Sequence, residues 1–326
     1  MYKVLLGAIA GVALTASAVV AQEKMRISLQ LPLKSHLGQN LLLFEKEVEA
    51  RTNGAIDVEI YDSATLYKDK EVPAAVGSGA IEAGVASLTR YVGDAPAVDV
   101  FYMPFLFNSE DKVRAAVAEG SDVRSIIEAE IEKTGGQVLY WQAYGGAIML
   151  SKDEPIRTPA DLEGKKVRVF GKTLGDFVSA AGGAPTLISG SEQYLAYQRG
   201  TVDVGMTGIS GVKSRKLWEV MDTITVTNHA NIEFVVVVNN AWWESLSDDI
   251  RGHIVEAAAV AQADVRDKMA GIEAEAYAAA EENGMTVVEL TPEELAKWTA
   301  VSQPVYDAYV SSAGEAGQML LKAAGN

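Results

Sequence analysis

Pro159-Ala160-Asp161-Leu162-Glu163-Gly164-Lys165-Lys166-Val167-Arg168-Val169-Phe170 reads as a short helical turn, a glycine stop and a strand. Lys166 and Arg168 fall on one face of that strand, and Val167 and Val169 on the other. This is the period-two alternation of a half-buried strand. On alternation alone Arg168 points to solvent. The sharper reading turns it inward to hold the acid group of a ligand, and the rest of the chain bears on that choice.

Upstream, the same rhythm of strand, helix and glycine stop repeats. Met25 to Leu31 alternates as a first strand, and a helix from about Leu37 to Thr52 ends at Asn53-Gly54. Ala55 to Tyr61 is a second strand, a short helix spans about Glu71 to Val76, and Ile81 to Ala86 is a third strand. Asp111 to Lys133 is amphipathic and breaks at Gly120, and Gln137 to Tyr140 is the next strand. After Gly145-Gly146 the rhythm restarts with a separate strand, Ala147 to Ser151. Further strands are Pro185 to Leu187, Val202 to Met206, Thr225 to Asn228 and Phe234 to Val238, with helices at about Leu174–Ala181, Ser191–Gln198 and Val212–Val220. Phe234-Val235-Val236-Val237-Val238 is apolar on both faces and belongs at the centre of a sheet. Strands alternating with helices at this spacing predict an α/β fold with crossover connections.

Ser247-Asp248-Asp249 is a strong helix start with acids in the first turn. Ile250, Ile254, Ala258, Ala261, Val265, Met269 and Ile272 then recur at three and four, with no proline before Asn283-Gly284. A helix of that extent is about 55 Å long at 1.5 Å per residue. It exceeds one small domain and is predicted to brace two. A strand, Met285 to Leu290, and two helices, from Pro292 and from about Pro304, finish the chain. The predicted division is residues 22–145 plus about 234–272 in domain I, and 146–233 plus about 273–326 in domain II.

Residues 1–21 have the plan of a cleaved secretory leader: Lys3 in a short positive region, an apolar run from Val4 to Val20, and Val19-Val20-Ala21 for cleavage near Ala21. Loss of Lys3 with that segment takes the net charge from −16 to −17. So acidic a surface argues against nucleic acid as a partner. It does not argue against a small anion, because a local cation dominates inside a cleft. There is no cysteine, so disulfides and thiolate chemistry are excluded. His36, His229 and His253 have no metal-binding spacing, and neither a Gly-x-Ser-x-Gly elbow nor a phosphate loop occurs. No catalytic residue, metal or cofactor is predicted. An exported two-domain α/β chain of this kind suggests a solute receptor that closes around its ligand by a hinge. An exported hydrolase or lyase is the alternative from another class.

Three blocks carry a family resemblance. They are Asp161-Leu162-x-Gly164-Lys165-Lys166-x-Arg168-Val169, Ser191-Glu192-x-Tyr194-x-Ala196-x-Gln198-x-Gly200-x-Val202-Asp203, and Lys216-Leu217-x-Glu219-Val220. Thr52-x-Gly54-x-Ile56, Pro104-Phe105 and Thr227-Asn228-His229 agree as well. With these the chain resembles the extracytoplasmic substrate-binding subunit of tripartite ATP-independent periplasmic (TRAP) transporters over essentially its whole mature length. The resemblance implies a two-domain periplasmic-binding-protein-like fold with a hinge cleft and a long bracing helix. It also implies a monomer that delivers a small organic acid to the membrane permease subunits of an ion-gradient-driven transporter.

The resemblance puts Arg168 where the family has the arginine that pairs with the ligand carboxylate, a match of planar guanidinium to two oxygens. Thr207 falls where sialic-acid-type members have an asparagine, Gln30 at the polar position ending strand one, and Ser87 where those members have a glutamate. Ile148 stands in place of their second arginine, which argues against a large sugar acid. Trp141, Tyr144 and Phe170 read as walls for a smaller or flatter acid, although the two strand aromatics also suit a core. Glu233 is read either as a partner for an amine, hydroxyl or cation of a ligand, or as a salt-bridge residue between domains. A zwitterion or sulfonate held by Arg168 and Glu233 therefore stays open.

Overall fold

A computed structural model describes residues 22–325, and the leader lies outside them. The first half of the fold is built from β1 (Glu23–Ser28), α1 (His36–Arg51), β2 (Ile56–Tyr61), α2 (Val72–Gly77) and β3 (Ala83–Ser87). Ser35 caps α1 by accepting from the Gly38 N–H. A 3-10 segment, Pro96–Tyr102, leads to α3 (Glu110–Val117) and α4 (Asp122–Glu132), two helices divided at the predicted break around Gly120.

Where the sequence predicts two strands, the fold has one. Gln137–Tyr140 and Ala147–Ser151 are the two ends of one sixteen-residue strand, β4 (Gly136–Ser151). The glycine pair does not stop it. Gly145 adopts φ +94°, and the register shifts between Ala143 and Gly145, so the strand bulges and continues. Glu273 accepts a hydrogen bond from the Gly146 N–H at 3.1 Å on that bulge.

Beyond β4 come β5 (Lys166–Val169), α5 (Lys172–Ala180), β6 (Ala184–Leu187), α6 (Gln193–Gln198), β7 (Val204–Gly208), α7 (Ile209–Arg215) and β8 (Thr223–Val226). The chain then returns through β9 (Asn231–Asn239) and α8 (Asn240–Ser245) to α9 (Asp248–Glu282), and closes with β10 (Thr286–Glu289), α10 (Pro292–Ala300) and α11 (Gln303–Gly325), which kinks at Gly314. The strands run β2-β1-β3-β9-β4-β7-β5-β6, with β8 pairing β4 and β10. β4 belongs to both halves of this order. Its residues Gly136–Gly146 pair with β9, and Ala147–Ser151 pair with β7. The apolar β9 sits between β3 and β4, as a strand buried on both faces must.

α9 runs 35 residues, about 52 Å. Ser247 caps it by accepting from the Ile250 N–H. Near its start, Asn40 of α1 donates to the Ala261 carbonyl at 2.7 Å. Near its end, Lys213 of α7 pairs with Glu275 at 3.0 Å. The helix therefore touches both halves of the sheet. β10 pairs with β8 and Trp298 of α10 donates to the Arg157 carbonyl at 2.9 Å, whereas α11 packs on the Pro96–Tyr102 segment, α4 and α5. Asp99 of that segment accepts from the backbone N–H (3.1 Å) and hydroxyl (2.6 Å) of Thr173 in the first turn of α5.

Candidate functional site

In β5, Val167 and Val169 pack into the core as alternation requires, but Arg168 is not solvated. It is 2 % exposed, because its guanidinium folds against the backbone of Ile188 and Met206 and the rest of that face lines the interior cavity rather than the surface. Its Nε donates to the Ile188 carbonyl at 3.0 Å, and Nη1 donates to the carbonyl of Met206 on β7. The guanidinium lies 5.3 Å from the centre of the Phe170 ring. No carboxylate pairs with it among the described residues. Burial, the first cause, pushes its pKa down to about 10, and the neighbouring cations Arg90 and Arg215 act in the same direction. This is a desolvated cation held by carbonyl dipoles, an arrangement that an anion would relieve.

Arg168 faces a small cavity between the two halves. Of the residues expected at a ligand site, Gln30, Ser87, Tyr144, Phe170 and Thr207 line it with Arg168. Ser87 ends β3 directly opposite Phe234 of β9, and Thr207 lies opposite Ile148 across β7 and β4. Tyr144 stands beside Phe234 (5.1 Å between ring centres) and His36 (5.3 Å). His36 donates from Nε2 to the Ala143 carbonyl at 3.0 Å, and burial pushes its pKa down to about 4, so it is a neutral ring at neutral pH.

Two expected residues lie elsewhere. Trp141 is fully buried on the α4 side of β4, donating from Nε1 to Glu128 at 2.9 Å and packing against Phe101. Glu233 alternates away from the cavity: Ile232 and Phe234 face the cavity, and Glu233 turns to α9. There both its carboxylate oxygens accept from Arg266, each at 2.7 Å. Burial pushes the Glu233 carboxyl up while Arg266 pulls it down. The salt-bridge reading fits this placement, and a ligand held by Arg168 plus Glu233 does not. Ile148 is also outside the cavity, packed with Leu150, Tyr197 and Ile224.

Three charged groups in the cavity were not anticipated. Arg90, in the turn after β3, donates from Nε to Asp69 Oδ2 at 2.6 Å, and Gln30 Nε2 donates to the same oxygen at 3.0 Å. Arg215, at the end of α7, donates from Nη1 to the Tyr144 hydroxyl at 3.2 Å and makes no ion pair among the described residues. In sequence Asp69 sits in Lys68-Asp69-Lys70 and Arg215 in Lys213-Ser214-Arg215-Lys216, runs that read as solvated surface. Gly211 makes the Arg215 approach feasible, since a Cβ there would come within 2.6 Å of the Tyr144 hydroxyl. Three guanidinium groups against one carboxylate leave two positive charges in the cavity of a chain whose net charge is −16. Among the described residues no cluster of carboxylates and histidines is arranged to hold a metal ion.

The model of the DctP family, "Bacterial extracellular solute-binding protein, family 7", matches residues 27–312. The C4-dicarboxylate-binding periplasmic protein DctP of Rhodobacter capsulatus is 32% identical over 292 residues, 88% of this chain and 86% of that protein. Among solved structures, a TRAP periplasmic solute-binding protein of Shewanella oneidensis with bound succinate superposes with a TM-score of 0.88 at 25% identity, covering 94% of this chain and 99% of that one. DctP7 of Bordetella pertussis, an extracytoplasmic solute receptor binding pyroglutamic acid, shares the fold with a TM-score of 0.88 at 22% identity, covering 93% and 99%. The chain belongs to the DctP family, the substrate-binding subunits of tripartite ATP-independent periplasmic transporters.

Proposed function

We propose that this receptor captures a small dicarboxylate, of about the size of a four-carbon diacid, and closes over it. The observation that carries the reading is the pair Arg168 and Arg215, two cavity guanidinium groups with no carboxylate of the protein to neutralise them. Each offers the planar pair of donors that a carboxylate matches. A diacid would neutralise both. The cavity is small, which favours a compact acid over a large sugar acid. The Rhodobacter and Shewanella relatives, named for or containing C4 diacids, support the same class.

Of the two lobes expected from the sequence we keep residues 22–145 with about 234–272 and residues 146–233 with about 273–302, and assign 303–325 to the first instead of the second because α11 packs mainly on the Pro96–Tyr102 segment and α4. The boundary at Gly145–Gly146 follows the switch of β4 from one partner to the next. The mature protein is exported by cleavage near Ala21, acts as a monomer without nucleic acid, and hands its acid to the permease subunits. Intact mass and light scattering of the exported protein check cleavage and monomer.

Isothermal titration with acids of graded charge tests the ligand class: propionate and lactate, then succinate, fumarate and malate, then tricarballylate. Dicarboxylates are expected to bind at least about tenfold more tightly than either neighbouring group, one unpaired cation or one surplus carboxylate being worth about 1.4 kcal/mol or more. A monocarboxylate binding as tightly as the best dicarboxylate would overturn the diacid reading and leave the acid receptor standing.

A further inference from the structure

We infer that the ligand carries a hydrogen-bond donor, a hydroxyl or an amide N–H, beside its acid group, and that Asp69 and Gln30 select for it. The inference rests on the acid-receptor reading but not on the number of carboxylates.

Apart from the Ser87, Tyr144 and Thr207 hydroxyls, which can donate or accept, the polar atoms of the cavity still open to a ligand divide by lobe. From the second lobe come donors: the guanidinium groups of Arg168 and Arg215, and the Gln193 side-chain amide, whose Nε2 is buried without an acceptor among the described residues. From the first lobe come two acceptors lacking donors, Asp69 Oδ1 and Gln30 Oε1, on side chains that are 0% and 4% exposed. The cation of the first lobe, Arg90, is already paired with Asp69 Oδ2. Gln30 cannot be turned round to relieve its oxygen, because Nε2 is held by Asp69 and a reversed amide would set two acceptors face to face. Its Oε1 instead points across to the second lobe, within 2.6 Å of where a Cβ on Gly190 would lie, a point 3.0 Å from Arg215 Nη2.

An unadorned carboxylic acid supplies acceptors only. It would satisfy the second lobe and leave both first-lobe oxygens without a donor from the ligand. A ligand bearing an O–H or N–H satisfies both sides, and its donor meets Asp69 and Gln30 only when the lobes are together. The donor thus reports the correct ligand at the closing step, whereas the acid group is recognised by the second lobe alone. A buried acceptor left without a partner is worth roughly ten- to a hundred-fold in affinity.

The test uses two matched pairs on the full mature chain: malate against succinate, and pyroglutamate against cyclopentanecarboxylate. Affinity is read by calorimetry and closure by small-angle scattering. In whichever pair binds, the donor-bearing member is expected to bind at least about tenfold more tightly and to give the larger contraction. Asp69→Asn and Gln30→Met are expected to shrink that ratio several-fold; if Asp69→Asn fails to fold, Gln30→Met decides. Equal affinities within both pairs, or a ratio that survives both variants, would overturn the donor rule. Binding of the monoacid pair alone would defeat the diacid reading while still deciding the donor rule by the ratio within that pair.

Discussion

Arg168 sits in the protein with its charge desolvated and its donors facing carbonyl oxygens, so its place costs stability in the empty receptor and is repaid by the ligand. The two effects separate by mutation. Arg168→Met is expected to lower ligand affinity by about 2–5 kcal/mol, the range for removing one partner of a buried charge pair. The same variant is expected to leave the melting temperature of the ligand-free protein unchanged or raised, which calorimetry measures. A fall in both would mean that Arg168 is a structural residue. His229 supplies a second prediction. It is fully buried, its Nδ1 lies 2.7 Å from the Thr227 hydroxyl, its ring stacks on Phe177, and burial pushes its pKa down to about 3. Its native pKa lies below the ordinary value of 6.5, so the unfolded chain takes up a proton first as pH falls. The stability it contributes is complete above pH about 6.5 and is lost progressively toward pH about 3, at about 1.4 kcal/mol per pH unit. His36, pushed down to about 4, adds the same sign. Denaturant unfolding of His229→Gln between pH 4 and 7 is expected to show a slope shallower by one proton.

At the level of elements, α9 is held to β9 by the Glu233–Arg266 pair, with side chains 0% and 8% exposed. Arg266→Met strands the carboxylate and is expected to cost about 3–5 kcal/mol of folding free energy, while Glu233→Leu with Arg266→Met recovers most of it. Chemical unfolding measures the loss. Ligand affinity of the folded variant is expected to stay within a few-fold of the parent, because neither residue lines the cavity. Much at this level was legible in the sequence. The length of α9, its Ser247 start, the break between α3 and α4 and the central place of β9 all come from local signals of capping, glycine and hydrophobic period. The continuity of β4 was not, because Gly145-Gly146 has the same letters whether a strand ends or bulges, and only the pairing partner decides. The cavity divides the same way. Arg168 stood out through a motif, whereas Asp69, Arg90 and Arg215 sit among lysines or in short turns and are drawn into the cavity by partners distant in sequence. Trp141 and Glu233 were misplaced because strand periodicity alone does not say which face meets the cleft.

Across the whole molecule, the lobes are joined by Lys68 of the first and Glu192 of the second, each next in sequence to a cavity residue, 2.8 Å apart and both well exposed. Such a pair acts on opening more than on recognition. Lys68→Ala with Glu192→Ala is expected to raise the ligand dissociation rate by no more than about fivefold, with the association rate nearly unchanged, in stopped-flow fluorescence. A large fall in association rate would instead make Lys68 a steering charge. The remaining surface is acidic, so attraction of an anion depends on the few cations at and inside the cleft.

β4 has one more consequence. A strand that pairs with β9 over its first eleven residues and with β7 over its last five is shared by the two lobes. Cutting the gene at Gly145 would leave β9 in the second fragment while its partners β3 and the first part of β4 stay in the first, so two-piece reconstitution or grafting one lobe onto a relative has no clean seam there. Exchange of specificity between relatives has to proceed by replacing cavity side chains one at a time, on a frame inherited whole.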